Sequence, residues 1–297
     1  ARYLEMGVDA WRLDVADELP NSFLEALHTL VKEKTGGNGA IFGEVWENAA
    51  DKIAYGSRRR YLSGRQLDSV MNYPVRNGIL DFIRYRDAQG LYNVLTELYS
   101  SYPEEVCHAL MNLIGTHDTE RVLTLLGNPA KVRENAYAYN AVQEKLRLTD
   151  EERARGVKLL RMISALQFTI FGFPCVYYGD EAGMEGMSDP FCLYPFPWHN
   201  IDAEINEHYK KLGALRRAES VFSGGEFKIT RSTGGYFEFI RYNKEEKHYV
   251  KVAVNMGEPI KVEAAGGVNL YTGKRIVGKP VLKNGEFLIA RMKGKIK

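Results

Sequence analysis

Three acids and one arginine carry the first chemical signal. In GVDAWRLDVADE, residues 7–18, Arg12 and Asp14 stand two apart, and on an extended strand residues two apart share a face. The stretch otherwise reads as a buried strand, where a charge is costly unless paired. Glu44 lies in a second apolar stretch, AIFGEVW at 40–46, and His117 with Asp118 follow a third, ALMNLIG at 109–115. Two carboxylates facing one sugar are the minimum apparatus for glycoside cleavage: one acid protonates the leaving oxygen, and one carboxylate attends the anomeric carbon. Arg12 would hold Asp14 ionised, because an adjacent cation lowers a carboxylate's pKa. The apolar surroundings of Glu44, ending in Trp46, would raise its pKa, as a general acid requires.

Short apolar strands alternating with helices would position these groups. The strands read as residues 8–15, 40–46, 68–73 (DSVMNY), 109–115 and 174–179 (PCVYYG). A helix over NSFLEALHTLVKEKTGG, closed by Gly36 and Gly37, separates the first two. A capping box, Thr149 with Glu152, opens another helix within 148–168. Strands separated by helices predict βαβ units and a parallel sheet. Asp14, Glu44, Asn72, His117 with Asp118, and Asp180 with Glu181 all fall at C-terminal strand ends, the active-site face of parallel α/β barrels. Near residue 218 the texture changes. GGYFEFIRYNKEEKHYVKVAVNM alternates apolar with polar residues, and turn signals follow at NMGEP, AAGG, YTGK and KNGE. These predict an antiparallel β-sandwich, dividing the chain into a barrel portion, 1–217, and an all-β domain, 218–297.

The bulk numbers narrow the function classes. A net charge of +2 over 297 residues offers no general attraction to nucleic acid or anionic membrane. The basic run SRRRY, 57–61, reads as a solvated loop or helix face. Cys107, Cys175 and Cys192 are odd in number and lack metal-ligand spacing, so three free thiols are expected. The longest apolar run, residues 162–178, falls short of a membrane span and is broken by Gly172 and Pro174. The chain opens on Ala1 within a helical stretch and reads as a piece of a longer polypeptide. Its location is left open, with the cytoplasm favoured.

In order, GVDAWRLDVADE, FGEVWENA and NLIGTHDTER resemble the second, third and fourth conserved regions of the α-amylase superfamily, glycoside hydrolase family 13. DSVMNYPVRNGILDF and PCVYYGDEAGM support the resemblance, which is nearest to neopullulanase, cyclomaltodextrinase and maltogenic amylase. It implies an α/β fold: the C-terminal part, about strands 4–8, of a TIM (β/α)8 barrel followed by an antiparallel β-sandwich domain. It also implies retaining cleavage of α-1,4 and α-1,6 glucosidic bonds in cyclodextrins, pullulan, starch or maltooligosaccharides. Asp14 would attack C1, and Glu44 would protonate the departing oxygen and then activate water. Asp118 would grip hydroxyls of the distorted sugar, His117 would hydrogen-bond the same sugar, and Arg12 would position Asp14. Trp46 would stack on an acceptor sugar, although its indole reads equally well as core packing. Asn72, Tyr73, Asp180 and Glu181 lean structural.

Two alternatives stay open: a transglycosylase of the same superfamily, and a non-catalytic carbohydrate-binding fragment. No cofactor or metal is implied for the chemistry. A structural calcium and a homodimer are compatible with a full-length relative. Three departures stand out. The family's earlier strands and first conserved region have no counterpart, and five strands cannot close an eight-stranded barrel; the isolated chain could therefore be inactive. Glu47 stands where close relatives often have His, and Leu193 with Tyr194 stand where relatives commonly have basic residues.

Overall fold

Parallel pairing joins the stretches that carry the acids. β1 (Ala10–Leu13) pairs with β2 (Ala40–Gly43), from Ala10 opposite Ala40 to Leu13 opposite Gly43. β2 pairs in turn with β3 (Ser69–Val70), Phe42 lying opposite Ser69. Just past β3, Met71 bridges in parallel to Met111 of β4 (Met111–Leu113), and the Asn72 N–H donates to the Met111 carbonyl at 2.9 Å. The N–H of Phe173, which opens β5 (Phe173–Cys175), donates to the Leu110 carbonyl at 2.8 Å. Five strand segments therefore neighbour one another in chain order, as in the wall of a parallel barrel. This computed structural model describes residues 1–296. Each strand is shorter than its apolar run predicts, because the ladder stops where the polar side chains begin.

α1 (Asn21–Lys34) connects β1 to β2 and buries Leu24 and Val31, which lie two turns apart on one face. Gly36 and Gly37 end it at φ 61° and 87°, left-handed values that glycine adopts without a Cβ penalty.

The chain forms two compact units. The first comprises residues 1–81, 90–112 and 171–173; the second comprises 82–89, 113–170 and 174–297. Within the first, the basic run departs from its expected solvated face. Arg58 and Arg60 are exposed and paired with Asp51 and Glu25. Arg59 is instead buried, its guanidinium on the carbonyls of Asp17 and Leu19, and Tyr61 is fully buried beside it.

In the second unit, α2 (Val122–Gly127) packs on α3 (Asp150–Thr169). The contact is close enough that a Cβ on Gly156 would stand 3.0 Å from the Leu123 side chain and carbonyl. The capping box forms as its spacing predicts: the Glu152 N–H donates to Thr149 Oγ1 at 3.3 Å, and the Thr149 N–H to Glu152 Oε2 at 2.9 Å. α4 (Ala203–Ala218) is capped by Asp202.

The all-β part follows from Glu226. Strands β6 (Glu226–Thr233), β7 (Tyr236–Tyr242), β8 (His248–Asn255), β10 (Val268–Asn269) and β12 (Glu286–Lys293) form one antiparallel sheet, ordered β10-β12-β8-β7-β6. β9 (Ile260–Lys261) and β11 (Val281–Leu282) form a second small sheet. Val262 and Leu282 from the small layer share a core with Ala253, Leu288 and Ala290 of the large one, the two-layer arrangement of a sandwich. Fully buried Arg241 on β7 donates from Nη1 to the Thr169 carbonyl at 3.0 Å and from Nη2 to the Gly225 carbonyl at 2.8 Å. It thereby satisfies a carbonyl that the end of α3 leaves without a helical partner. Among the described residues, no helix is long and apolar enough to cross a membrane.

Candidate active site

The chain turns sharply where β1 ends. Asp14 follows Leu13 directly, and Val15 takes a φ of 38°, a left-handed conformation that is strained for a β-branched residue. The turn aims the Val15 N–H at Glu44 Oε2, 2.8 Å away. The Glu44 N–H donates to the Leu13 carbonyl at 2.9 Å, and the Ala16 N–H to the Glu44 carbonyl at 3.2 Å. The backbone ladder between the first two strands thus runs on to the acids themselves. Gly43 has no room for a side chain here, since a Cβ would stand 2.4 Å from Leu67 Cδ1.

Arg12 bridges the two carboxylates. Its Nη1 bonds Asp14 Oδ1, its Nη2 lies 3.1 Å from Glu44 Oε1, and its Nε donates to Met71 Sδ at 3.4 Å. The acids differ in access: the Asp14 side chain is 71% exposed and that of Glu44 only 5%. β1 is half-buried rather than buried as its sequence predicts, which is how Asp14 reaches solvent. Glu44 is buried as expected, but its environment is not purely apolar. Its carboxylate contacts Arg12, Val15 N–H and, at 3.3 Å, Trp46 Nε1–H.

Trp46 stacks on Tyr73 with ring centroids 4.0 Å apart and planes 13° from parallel. Tyr73 is fully buried, while the indole above it remains 42% exposed. Core packing and exposed platform are therefore combined at one residue. Buried Asn72 is structural: it donates to Asn112 Oδ1 at 2.7 Å, and Asn112 donates to the Phe171 carbonyl at 2.6 Å.

Lys52 is a feature that sequence reasoning missed. Its ammonium touches Asp17, three residues after Asp14, at 3.0 Å and Glu47, three after Glu44. Burial works against the charged amine, but hydrogen bonds to Glu47 and Asp17 outweigh it and raise its pKa. Asp17 also accepts from Tyr61 at 2.6 Å. Nothing in local spacing announces this link, because the hairpin of Ile53–Ala54 with Ser57–Arg58 must form beside it.

His117 and Asp118 belong to the second unit. The Asp118 N–H donates to Thr116 Oγ1 at 2.9 Å, and its Oδ1 lies 3.4 Å from His117 Nε2. Neither caps a helix, since α2 begins only after Arg121. Their side chains are 50% and 35% exposed. Arg121 is buried, 3.3 Å from Asp180 Oδ1 and bonded to the Tyr178 carbonyl, with its guanidinium over the Tyr177 and Tyr178 rings. A Cβ on Gly115 would stand 2.3 Å from Asp180 Oδ2. Leu193 is exposed, and the Tyr194 carbonyl accepts from the Tyr178 hydroxyl at 2.9 Å. Among the described residues, no three His, Cys, Asp or Glu side chains group to hold a metal ion. They do not fit a structural calcium site.

A parallel strand wall with acids just beyond its first two strands places the chain among proteins built on (β/α)8 barrels. The α-amylase catalytic-domain pattern matches residues 1–147, and this part of the chain belongs to the α-amylase family. The cyclomaltodextrinase of Geobacillus thermopakistaniensis is 31% identical over 93% of this chain and 42% of its own length. Neopullulanase 2 of Thermoactinomyces vulgaris is 31% identical over 93% of this chain and 43% of its own length. The cyclic α-maltosyl-(1→6)-maltose hydrolase of Arthrobacter globiformis superposes with a TM-score of 0.76 at 24% identity, over 99% of this chain and 57% of that structure. The chain thus spans less than half the length of these two curated relatives. The fold is the C-terminal part of a (β/α)8 barrel followed by an antiparallel β-sandwich.

Proposed function

We propose that this chain carries the reacting acids of a retaining glycoside hydrolase that cleaves α-1,4 and α-1,6 bonds in cyclodextrins, pullulan, starch or maltooligosaccharides. The observation that carries the reading is the single Arg12 guanidinium in contact with both Asp14 and Glu44. One cation reaching both carboxylates fits the short separation, about 5–5.5 Å, that a covalent double displacement uses.

Asp14, exposed and held by Arg12, attacks the anomeric carbon and forms the glycosyl-enzyme ester. Glu44 gives its proton to the departing glycosidic oxygen, then takes one from the water that hydrolyses the ester. Asp118 and His117 are assigned hydrogen bonds to hydroxyls of the distorted sugar, and Trp46 the face of an acceptor sugar. The barrel portion, 1–217, supplies all of these residues; the all-β domain is 218–297. Transfer to a second sugar is the alternative outcome at the same site. It is favoured by the exposed indole of Trp46 beside the acid.

The test is turnover of γ-cyclodextrin and pullulan by the purified chain, with Asp14→Asn as control. Turnover abolished by the substitution supports the reading, and turnover that survives it overturns Asp14 as nucleophile. New linkages among the products would favour transfer over hydrolysis.

A further inference from the structure

Within the second unit lies an open groove of about 700 Å³, inside the range of small-molecule sites. One wall is the face of α3 from Asp150 to Arg161; the other is the turn at 269–272 with residues 285–287. Both walls consist of residues that the proposed chemistry does not use.

Its lining charges balance. Arg153, Lys158 and Arg161 face Asp150, Glu204 and Glu286. Two of the cations are already engaged: Arg153 by Glu185 and Asp202, and Arg161 by Glu204 at 2.6 Å. Such a lining gives no net pull on an anion or a cation, yet it offers donors and acceptors side by side. A hydroxyl, which donates and accepts at once, satisfies both.

The aromatic part of the groove is fixed in place. The Tyr271 hydroxyl lies 2.8 Å from Nδ1 of buried His208, whose Nε2 lies 2.8 Å from Ser164 Oγ. Phe287 meets the Tyr271 ring edge-on at 5.1 Å. Together with Val157 and Ala154 these rings give an apolar strip among the polar groups, the combination that a pyranose needs for its C–H face and its rim of hydroxyls.

We propose that this groove is a second carbohydrate site, which binds a short neutral α-glucan without cleaving it. The α-glucan assignment rests on the function proposed above; the site itself rests on the groove alone. The groove would hold a chain on the protein between encounters with the reacting acids.

The test is site-resolved amide NMR of the purified chain carrying Asp14→Asn, titrated with maltotriose and, separately, with β-linked cellotriose. Saturable shifts are expected at residues 154–161 and 269–272 with maltotriose and not with cellotriose. Ala154→Trp, at an exposed groove position, fills the space and should weaken that binding by about tenfold or more. Its unchanged spectrum elsewhere would report an intact fold. Shifts at residues 44–47 report on the acid-bearing loops independently, so failure of one site leaves the other readable. No saturable shift at the groove residues would overturn the proposal. So would shifts that survive Ala154→Trp, or an equal response to cellotriose.

Discussion

Arg12–Asp14 and Arg121–Asp180 are the same pair of residue types in two regions, and they differ in access. The first pair has side chains 29% and 71% exposed; the second, 0% and 1%. A solvated pair contributes little to stability, and its carboxylate is open to an arriving substrate. A buried pair has lost its hydration, and removing one partner leaves an uncompensated charge. Burial, and not residue type, separates a carboxylate that can react from one that holds a loop.

The largest expected effect is at the exposed pair. Asp14→Asn should lower kcat on γ-cyclodextrin by about 10⁴-fold or more while leaving the melting midpoint unchanged. A variant that keeps a tenth of wild-type turnover would break the comparison on its reactive side. Asp180→Ala should do the reverse and cost about 3–5 kcal/mol in denaturant titrations by stranding Arg121. If Asp14→Ala destabilises as much as Asp180→Ala, exposure is not the deciding variable.

His208 extends the contrast to a buried histidine. Burial first, then the charges of Arg161 and Lys211, lower its pKa from 6.5 to about 3. Between those values the unfolded chain binds a proton that the folded chain refuses. Stability should therefore fall as pH drops from 6.5 towards 3 and level off above 6.5. His208→Gln should flatten that acid limb; an unchanged slope would exclude His208 as its source.

Two smaller effects sharpen the picture locally. Gly115→Ala should cost about 1–3 kcal/mol, because the new methyl meets the locked Asp180 carboxylate; chemical denaturation measures it. Val15→Gly should change stability by less than about 0.5 kcal/mol, relief of the left-handed strain offsetting the added chain entropy. A loss above about 1 kcal/mol would mean that the turn after Asp14 is not strained.

The elements that sequence reasoning placed well are those with local causes. The Thr149–Glu152 box, the glycines closing α1 and the alternation in β7 and β8 depend on residues a few positions apart. The acids were located by motif, and the wall places Asp14 and Glu44 just past β1 and β2. Long-range packing was not legible. Arg59 reads as one of three solvated arginines until the Asp17 and Leu19 carbonyls fold over it. Arg121 stood inside a quoted motif without a role, because its partners Tyr178 and Asp180 lie about 57–59 residues on. The support that Tyr73 gives Trp46 is likewise a property of stacking geometry, which no spacing encodes.

Arg241 bears on how such a chain could be recombined. Its guanidinium sits in the all-β part, yet it serves the Thr169 carbonyl at the end of a barrel helix and the Gly225 carbonyl at the entry to the sheet. A crossover at 217/218 that brought in a foreign sandwich without an arginine at this register would leave the helix terminus short of a donor. The seam is easy to see in the sequence, but it is a poor breakpoint for chimaeras. A graft that respects this molecule has to carry helix end and sheet together.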